Sequence, residues 1–145
     1  RGVTAIYCSS SILPNEKLII EELLSSIGTV SFVSNEEQID LITAISGSGP
    51  AYFFYLTEAL TEIAIDLGIS KDDAINFAKN TFIGSAILLD SEKSNNATSL
   101  RKNVTSPGGT TEAALKILMN EDEGLKVLLK KAVLNAVSRA HELKN

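Results

Sequence analysis

From Pro50 to Leu67 the sequence is apolar at most steps: Tyr52, Phe53, Phe54, Tyr55 and Leu56 are followed by Ala59, Leu60, Ile63, Ala64 and Ile65. A helix of this composition has no full polar face to turn to water, so it calls for cover on nearly every side. Pro50 suits its first position, and Gly68 suits the position just past its end. A second apolar helical pattern runs from Lys71 to about Asp90 and opens on a Ser70–Asp73 capping box. Two such helices exceed what a lone small bundle covers with ease. Either they form the centre of a bundle or a second subunit covers them, and the residues alone leave both open.

The start of the chain has a different character. Val3–Cys8 is rich in β-formers and reads as a strand. Pro14 and Asn15 introduce a helix over Glu16–Ile27, which Gly28 is expected to end. Thr29–Val33 reads as a second strand. Strand, helix and strand over about 33 residues make one βαβ unit. A parallel pair needs more strands and cover on both faces, and the later sequence supplies neither. The chain also begins at Arg1 without a Met. The expectation is that residues 1–35 are the end of a larger α/β domain.

After Val33 the pattern is helical throughout, with no repeats. Ser34 and Glu37 have capping-box spacing, and Ile39–Ile45 forms a short amphipathic helix. Ser46-Gly47-Ser48-Gly49-Pro50 turns into the long apolar helix, with Ser46 and Ser48 as candidate caps. A polar loop over Ser91–Thr98 leads to a helical turn near Leu100–Val104. Two more helices run to about Met119 and from about Glu123 to Leu143.

The 145 residues carry a net charge of −5 and 44% hydrophobic content, enough for one ordinary domain with a core or for a small domain plus part of another. The 13 basic residues are scattered, apart from Lys126–Lys131 and Arg101-Lys102, which argues against nucleic acid. No window is long and apolar enough for a membrane span, and no signal pattern opens the chain. The single Cys8 cannot form an internal disulfide and points to a reducing compartment; the expected location is cytoplasmic. One Cys and one His141 do not make a zinc site. His141 falls in a charged last helical turn and is given no catalytic role.

Chemistry concentrates in Asn103-Val104-Thr105-Ser106-Pro107-Gly108-Gly109-Thr110-Thr111-Glu112. Pro107 fixes one backbone angle and the two glycines free the next. Ser106, Thr110 and Thr111 bring hydroxyls together just where a helix begins. Helix-start N–H groups lack partners and sit at the positive end of the helix dipole. Such a turn can hold a carboxylate or phosphate. It can equally be a capped helix start and nothing more.

Ser46-Gly47-Ser48-Gly49-Pro50-Ala51-Tyr52, then a long helix, then Ser106-Pro107-Gly108-Gly109-Thr110-Thr111, resembles pyrroline-5-carboxylate reductase. Ile87-Leu88-Leu89, Leu100–Val104 and Leu23–Gly28 fit the same family, so the resemblance covers nearly the whole chain. It implies a mostly α fold. Residues 36–145 would be an all-helical dimerisation and substrate-binding domain of the 6-phosphogluconate dehydrogenase C-terminal-like kind. Residues 1–35 would be the last strand–helix–strand of an NADP-binding Rossmann domain. It also implies a homodimer through the helical domain, with higher assembly left open.

The implied activity is reduction of 1-pyrroline-5-carboxylate to L-proline with NADPH or NADH, the last step of proline biosynthesis. No G-x-G-x-x-G fingerprint occurs in these residues, and in the family it lies upstream. The chain is therefore expected to be a fragment, inactive by itself. For that substrate the backbone N–H groups near Gly109 and Thr110, with the Ser106 hydroxyl, can take the carboxylate, so Ser106, Gly108, Gly109, Thr110 and Thr111 are the expected substrate-binding residues; the resemblance places the Thr111 hydroxyl on the ring nitrogen. A threonine hydroxyl is too weak an acid to protonate an imine outright, so Thr111 orients or relays. Glu92 is the second catalytic candidate, supporting an iminium charge; its other reading is a solvated loop acid. Asn103 is a candidate cofactor contact or a helix-end cap. Tyr52–Tyr55 reads as core or dimer interface.

Two other functions remain on the sequence. One is a helical interaction module whose Gly-rich turn is only a cap. The other is a different Rossmann-linked dehydrogenase, which would be expected to carry a catalytic Lys or His on a buried helix; none is evident.

Overall fold

The computed structural model describes residues 2–91 and 96–144. Strand β1 (Gly2–Tyr7) is followed by α1 (Pro14–Ser25) and β2 (Gly28–Val33). Then come α2 (Glu37–Ile42), a π-helical turn (Thr43–Gly47), α3 (Gly49–Asp66), α4 (Lys71–Ser91), α5 (Ala97–Asn103), α6 (Thr110–Leu118) and α7 (Leu125–Glu142). The chain forms two compact units, one of Arg1–Pro50 with Lys130–Asn145 and one of Ala51–Leu129.

In the first unit β1 and β2 pair in parallel, from Gly2 opposite Gly28 to Tyr7 opposite Val33, with α1 as the connection. The role of Gly28 differs from the expectation. Helix α1 closes at Ser26 in ordinary right-handed geometry, and Gly28 opens β2. A Cβ on Gly28 would fall onto the Gly2 backbone. Close strand approach therefore requires this glycine.

The capping pair ahead of α2 is also displaced by one residue. Asn35 Oδ1 accepts the Gln38 N–H at 3.1 Å, and Gln38 Oε1 accepts the Ser34 N–H at 2.8 Å. These bonds satisfy helix-start donors in place of the expected Ser34–Glu37 pair. Asp40 of α2 is buried. Beyond α2 the Ser48 N–H donates to the Thr43 carbonyl at 2.8 Å, an i to i+5 closure that makes the π-turn. The Ser46 hydroxyl donates back to the Ile42 carbonyl at 3.0 Å, so it braces this turn and does not cap α3.

In the second unit the signals at Gly68 and Ser70 act as read, whereas α5 starts at Ala97, inside the expected polar loop. Gly68 ends α3 with φ 94°, a left-handed angle that glycine adopts freely. The Ser70 hydroxyl accepts the Asp73 N–H at 3.2 Å and donates to Asp73 Oδ2 at 2.8 Å. Asn96 caps α5 by accepting the Ser99 N–H at 3.0 Å. Phe53 and Phe82 bring α3 and α4 together, with ring centroids 5.6 Å apart.

Cover on α3 is far from complete within one chain. Phe54 is 68% exposed and Tyr55 70%. Among the described residues the buried hydrophobic side chains are Ala44, Ala74 and Ala78, and no large side chain is fully buried. Of the two arrangements the sequence left open, the single chain does not make α3 a buried centre. Among the described residues no helix is long and apolar enough to cross a membrane.

Candidate functional site

The Gly-rich stretch is built from its two flanking helices. At the end of α5 the Thr105 N–H donates to the Lys102 carbonyl at 3.0 Å, and the Thr105 hydroxyl to the Arg101 carbonyl at 2.6 Å. These two bonds use up carbonyls that a helix end leaves open. Asn103 is the last residue of α5 and is exposed. Its side chain makes no hydrogen bond among the described residues, so it does not act as a cap there.

Ser106–Gly109 then makes a tight turn. The Gly109 N–H donates to the Ser106 carbonyl at 3.0 Å, and Gly108 has φ 71°. Proline second and a positive-φ glycine third are the residues a type II turn demands. Gly109 follows in extended geometry as the N-cap of α6. A Cβ on Gly109 would sit 3.0 Å from the Ser106 carbonyl oxygen, closer than an ordinary contact. The Gly109 carbonyl accepts the Ala113 N–H at 3.2 Å and starts the helix.

One bond in this turn was missed from the sequence. Glu112 Oε2 accepts the Gly108 N–H at 2.8 Å. The available signal was an acid at the third helical position, the capping-box place. Both glycine N–H groups are thus engaged inside the loop. Among the described residues the Thr110 and Thr111 N–H groups have no partner, and neither do the hydroxyls of Ser106, Thr110 and Thr111. Thr111 and Glu112 are half-buried, while Ser106 and Thr110 are exposed. Open donors thus cluster at the positive end of a nine-residue helix.

The structure therefore brings together Ser106, Gly108, Gly109, Thr110 and Thr111, with Asn103 at the preceding helix end. Glu92 lies outside the described residues. A shallow cleft lined by Val3, Ala5, Ile39, Ile42, Thr43, Ser46 and Gly47 contains none of them. Among the described residues no group of His, Cys, Asp and Glu is arranged to hold a metal.

Residues 36–143 match the family model for pyrroline-5-carboxylate reductase dimerisation. The chain belongs to this family. A pyrroline-5-carboxylate reductase from Pseudomonas aeruginosa is 37% identical over 143 residues, covering 99% of this chain and 51% of that protein. The solved pyrroline-5-carboxylate reductase of Coxiella burnetii superposes with a TM-score of 0.84 at 40% identity, over 96% of this chain and 50% of that one. A Plasmodium falciparum pyrroline carboxylate reductase, solved with NADP bound, gives a TM-score of 0.75 at 25% identity, over 97% of this chain and 53% of that one. The chain spans about half the length of the pyrroline-5-carboxylate reductases it matches. A helical dimerisation domain preceded by a parallel strand–helix–strand unit is thus the architecture of this chain.

Proposed function

We propose that the chain forms the substrate-holding, helical part of a pyrroline-5-carboxylate reductase that converts 1-pyrroline-5-carboxylate to L-proline with NADPH or NADH. This is the last step of proline biosynthesis, in the cytoplasm. The observation that carries the reading is the Ser106–Thr111 turn, with its open hydroxyls and N–H groups at the α6 N-terminus in a chain of this family.

The substrate has one carboxylate and one ring nitrogen. The Ser106 hydroxyl and the Thr110 and Thr111 N–H groups are assigned to the carboxylate. Gly108 and Gly109 shape the turn and keep side-chain bulk away, so that a ligand reaches the backbone. The Thr111 hydroxyl is assigned to the ring nitrogen, which it orients or serves as a relay. Glu92 is assigned as the carboxylate that favours a positive charge on that nitrogen. Fixing both ends of a rigid ring sets the face of the imine carbon that accepts hydride.

A nicotinamide cofactor supplies that hydride when bound. The described residues do not form its site alone: the sheet has two strands, and the sequence has no dinucleotide fingerprint. Asn103 is the one contact assigned to it here. Residues 1–35 are read as the end of the cofactor domain, and 36–145 as the helical domain that pairs with a second copy.

The test uses full-length protein and the binding of proline or a cyclic carboxylate analogue. Ser106→Ala and Thr111→Ala are each expected to lose about 1–3 kcal/mol of binding energy, because each leaves a ligand group unpaired. Undiminished affinity in both variants would sink the carboxylate site.

A further inference from the structure

We propose that Glu112 is the positioning residue of this site. By taking the Gly108 N–H, its carboxylate locks the Ser106–Gly109 turn so that Ser106 and the first N–H groups of α6 serve one ligand carboxylate. This role rests on the function proposed above.

Helix α6 begins at a glycine N-cap, so it has no capping side chain of its own. The turn before it contains two adjacent glycines, the residues that lose most conformational freedom on ordering. The turn's own closure, Gly109 N–H to the Ser106 carbonyl, does not connect it to the helix side chains. The Glu112–Gly108 bond does. In an ordinary capping box the acid at the third helical position takes the N–H of the N-cap itself. Here that N–H is already used by the turn, and the carboxylate reaches one residue further back. A charged acceptor makes the bond stronger than a neutral one.

Attraction of ligand does not account for this acid. A negative charge beside a carboxylate-binding turn opposes the substrate's own charge. What Glu112 contributes is geometry: it occupies a donor that would otherwise compete for the ligand, and it holds Ser106 against the start of α6. Geometry and charge make opposite forecasts for the alanine variant, which loses the acceptor oxygen along with the charge; the amide variant keeps the oxygen and drops only the charge.

The experiment compares wild-type full-length protein with Glu112→Ala and Glu112→Gln, titrating proline or a cyclic carboxylate analogue and, separately, NADPH. Glu112→Ala is expected to weaken carboxylate binding roughly five- to thirty-fold, with NADPH affinity unchanged. Glu112→Gln is expected to bind the carboxylate at least as tightly as about a third of wild-type affinity. Undiminished binding by Glu112→Ala, or equal loss in both variants, would overturn the role. Should Glu112→Ala not fold, hydrogen exchange of the wild-type Gly108 amide decides: protection is expected, and exchange at the rate of a free amide overturns the proposal. If the wild-type protein itself binds neither ligand carboxylate, the site reading has failed and the role with it. A protected Gly108 amide in that case shows that the failure lies in the site and not in the bond.

Discussion

The Asp40 carboxylate and the Lys144 ammonium meet at 2.8 Å although 104 residues separate them in the chain. Asp40 lies on α2 with its side chain 5% exposed, and Lys144 sits just past α7, half-exposed. His141 Nε2 approaches the same carboxylate oxygen at 3.6 Å. The contact ties the end of the chain to the helix that follows the sheet.

The pair is unequal, and that sets the first prediction. Lys144→Ala leaves the buried Asp40 carboxylate with its longer contact to His141 and no ammonium, whereas Asp40→Asn leaves a cation free to turn to water. The lysine change is expected to destabilise the protein more than the asparagine change. Chemical denaturation of the two variants checks the order, and a costlier Asp40→Asn would refute it. The hydrogen bond to Asp40 raises the Lys144 pKa above its ordinary 10.5, with desolvation opposing and the charges of Asp40, Glu36 and Glu37 adding to the rise. A cation whose pKa is higher when folded stabilises fully below its unfolded pKa and loses that contribution as pH climbs through the folded value. Wild-type thermal stability is thus expected to fall more steeply than that of Lys144→Met above pH 10.5.

Gly28→Ala is expected to destabilise the first unit by about 1–3 kcal/mol, because the added methyl meets the Gly2 backbone and the paired strands must part. Circular dichroism during urea unfolding reads this directly. A neutral result would show that the strands separate at no cost.

Gly108→Ala places a side chain at φ 71°. The left-handed strain of about 1–2 kcal/mol is expected to appear chiefly as weaker binding of a cyclic carboxylate, since the turn is short and exposed. Equal affinity in a folded Gly108→Ala variant would remove the turn from the site.

Phe54→Glu and Tyr55→Glu put charge onto the most exposed aromatic face of α3. Light scattering at micromolar concentration is expected to show a dimer for the wild-type protein and a shift to monomer or aggregate for the variants. A wild-type monomer would contradict pairing through this domain.

Sequence reading did best where structure is local. Gly68, the Ser70–Asp73 pair and the Pro107-Gly108 turn are set by neighbours within a few residues, so their signals survive without tertiary knowledge. Gly28 was misread because a glycine after a helical pattern looks the same whether it caps that helix or admits a facing strand. The π-turn at Thr43–Gly47 has no sequence mark, since one extra residue in a helix is absorbed by packing. Asp40 and Lys144 could not be paired from periodicity across such a span. The Ser106–Thr111 stretch was recognised as a possible anion site, but its free donors were placed one residue early. The Glu112 carboxylate competes for the Gly108 N–H, and an acid four residues on does not by itself show that it turns back to the loop.

Among the described residues the buried hydrophobic side chains are three alanines. So thin an interior cannot hold the chain in shape by intramolecular burial alone. If pairing supplies the missing cover, folding and association become one equilibrium, and stability depends on protomer concentration. Each tenfold dilution then removes about 1.4 kcal/mol per mole of dimer from the folded state. Dilution acts on such a protein as urea acts on others, and the amount a cell makes helps set the fraction that is native.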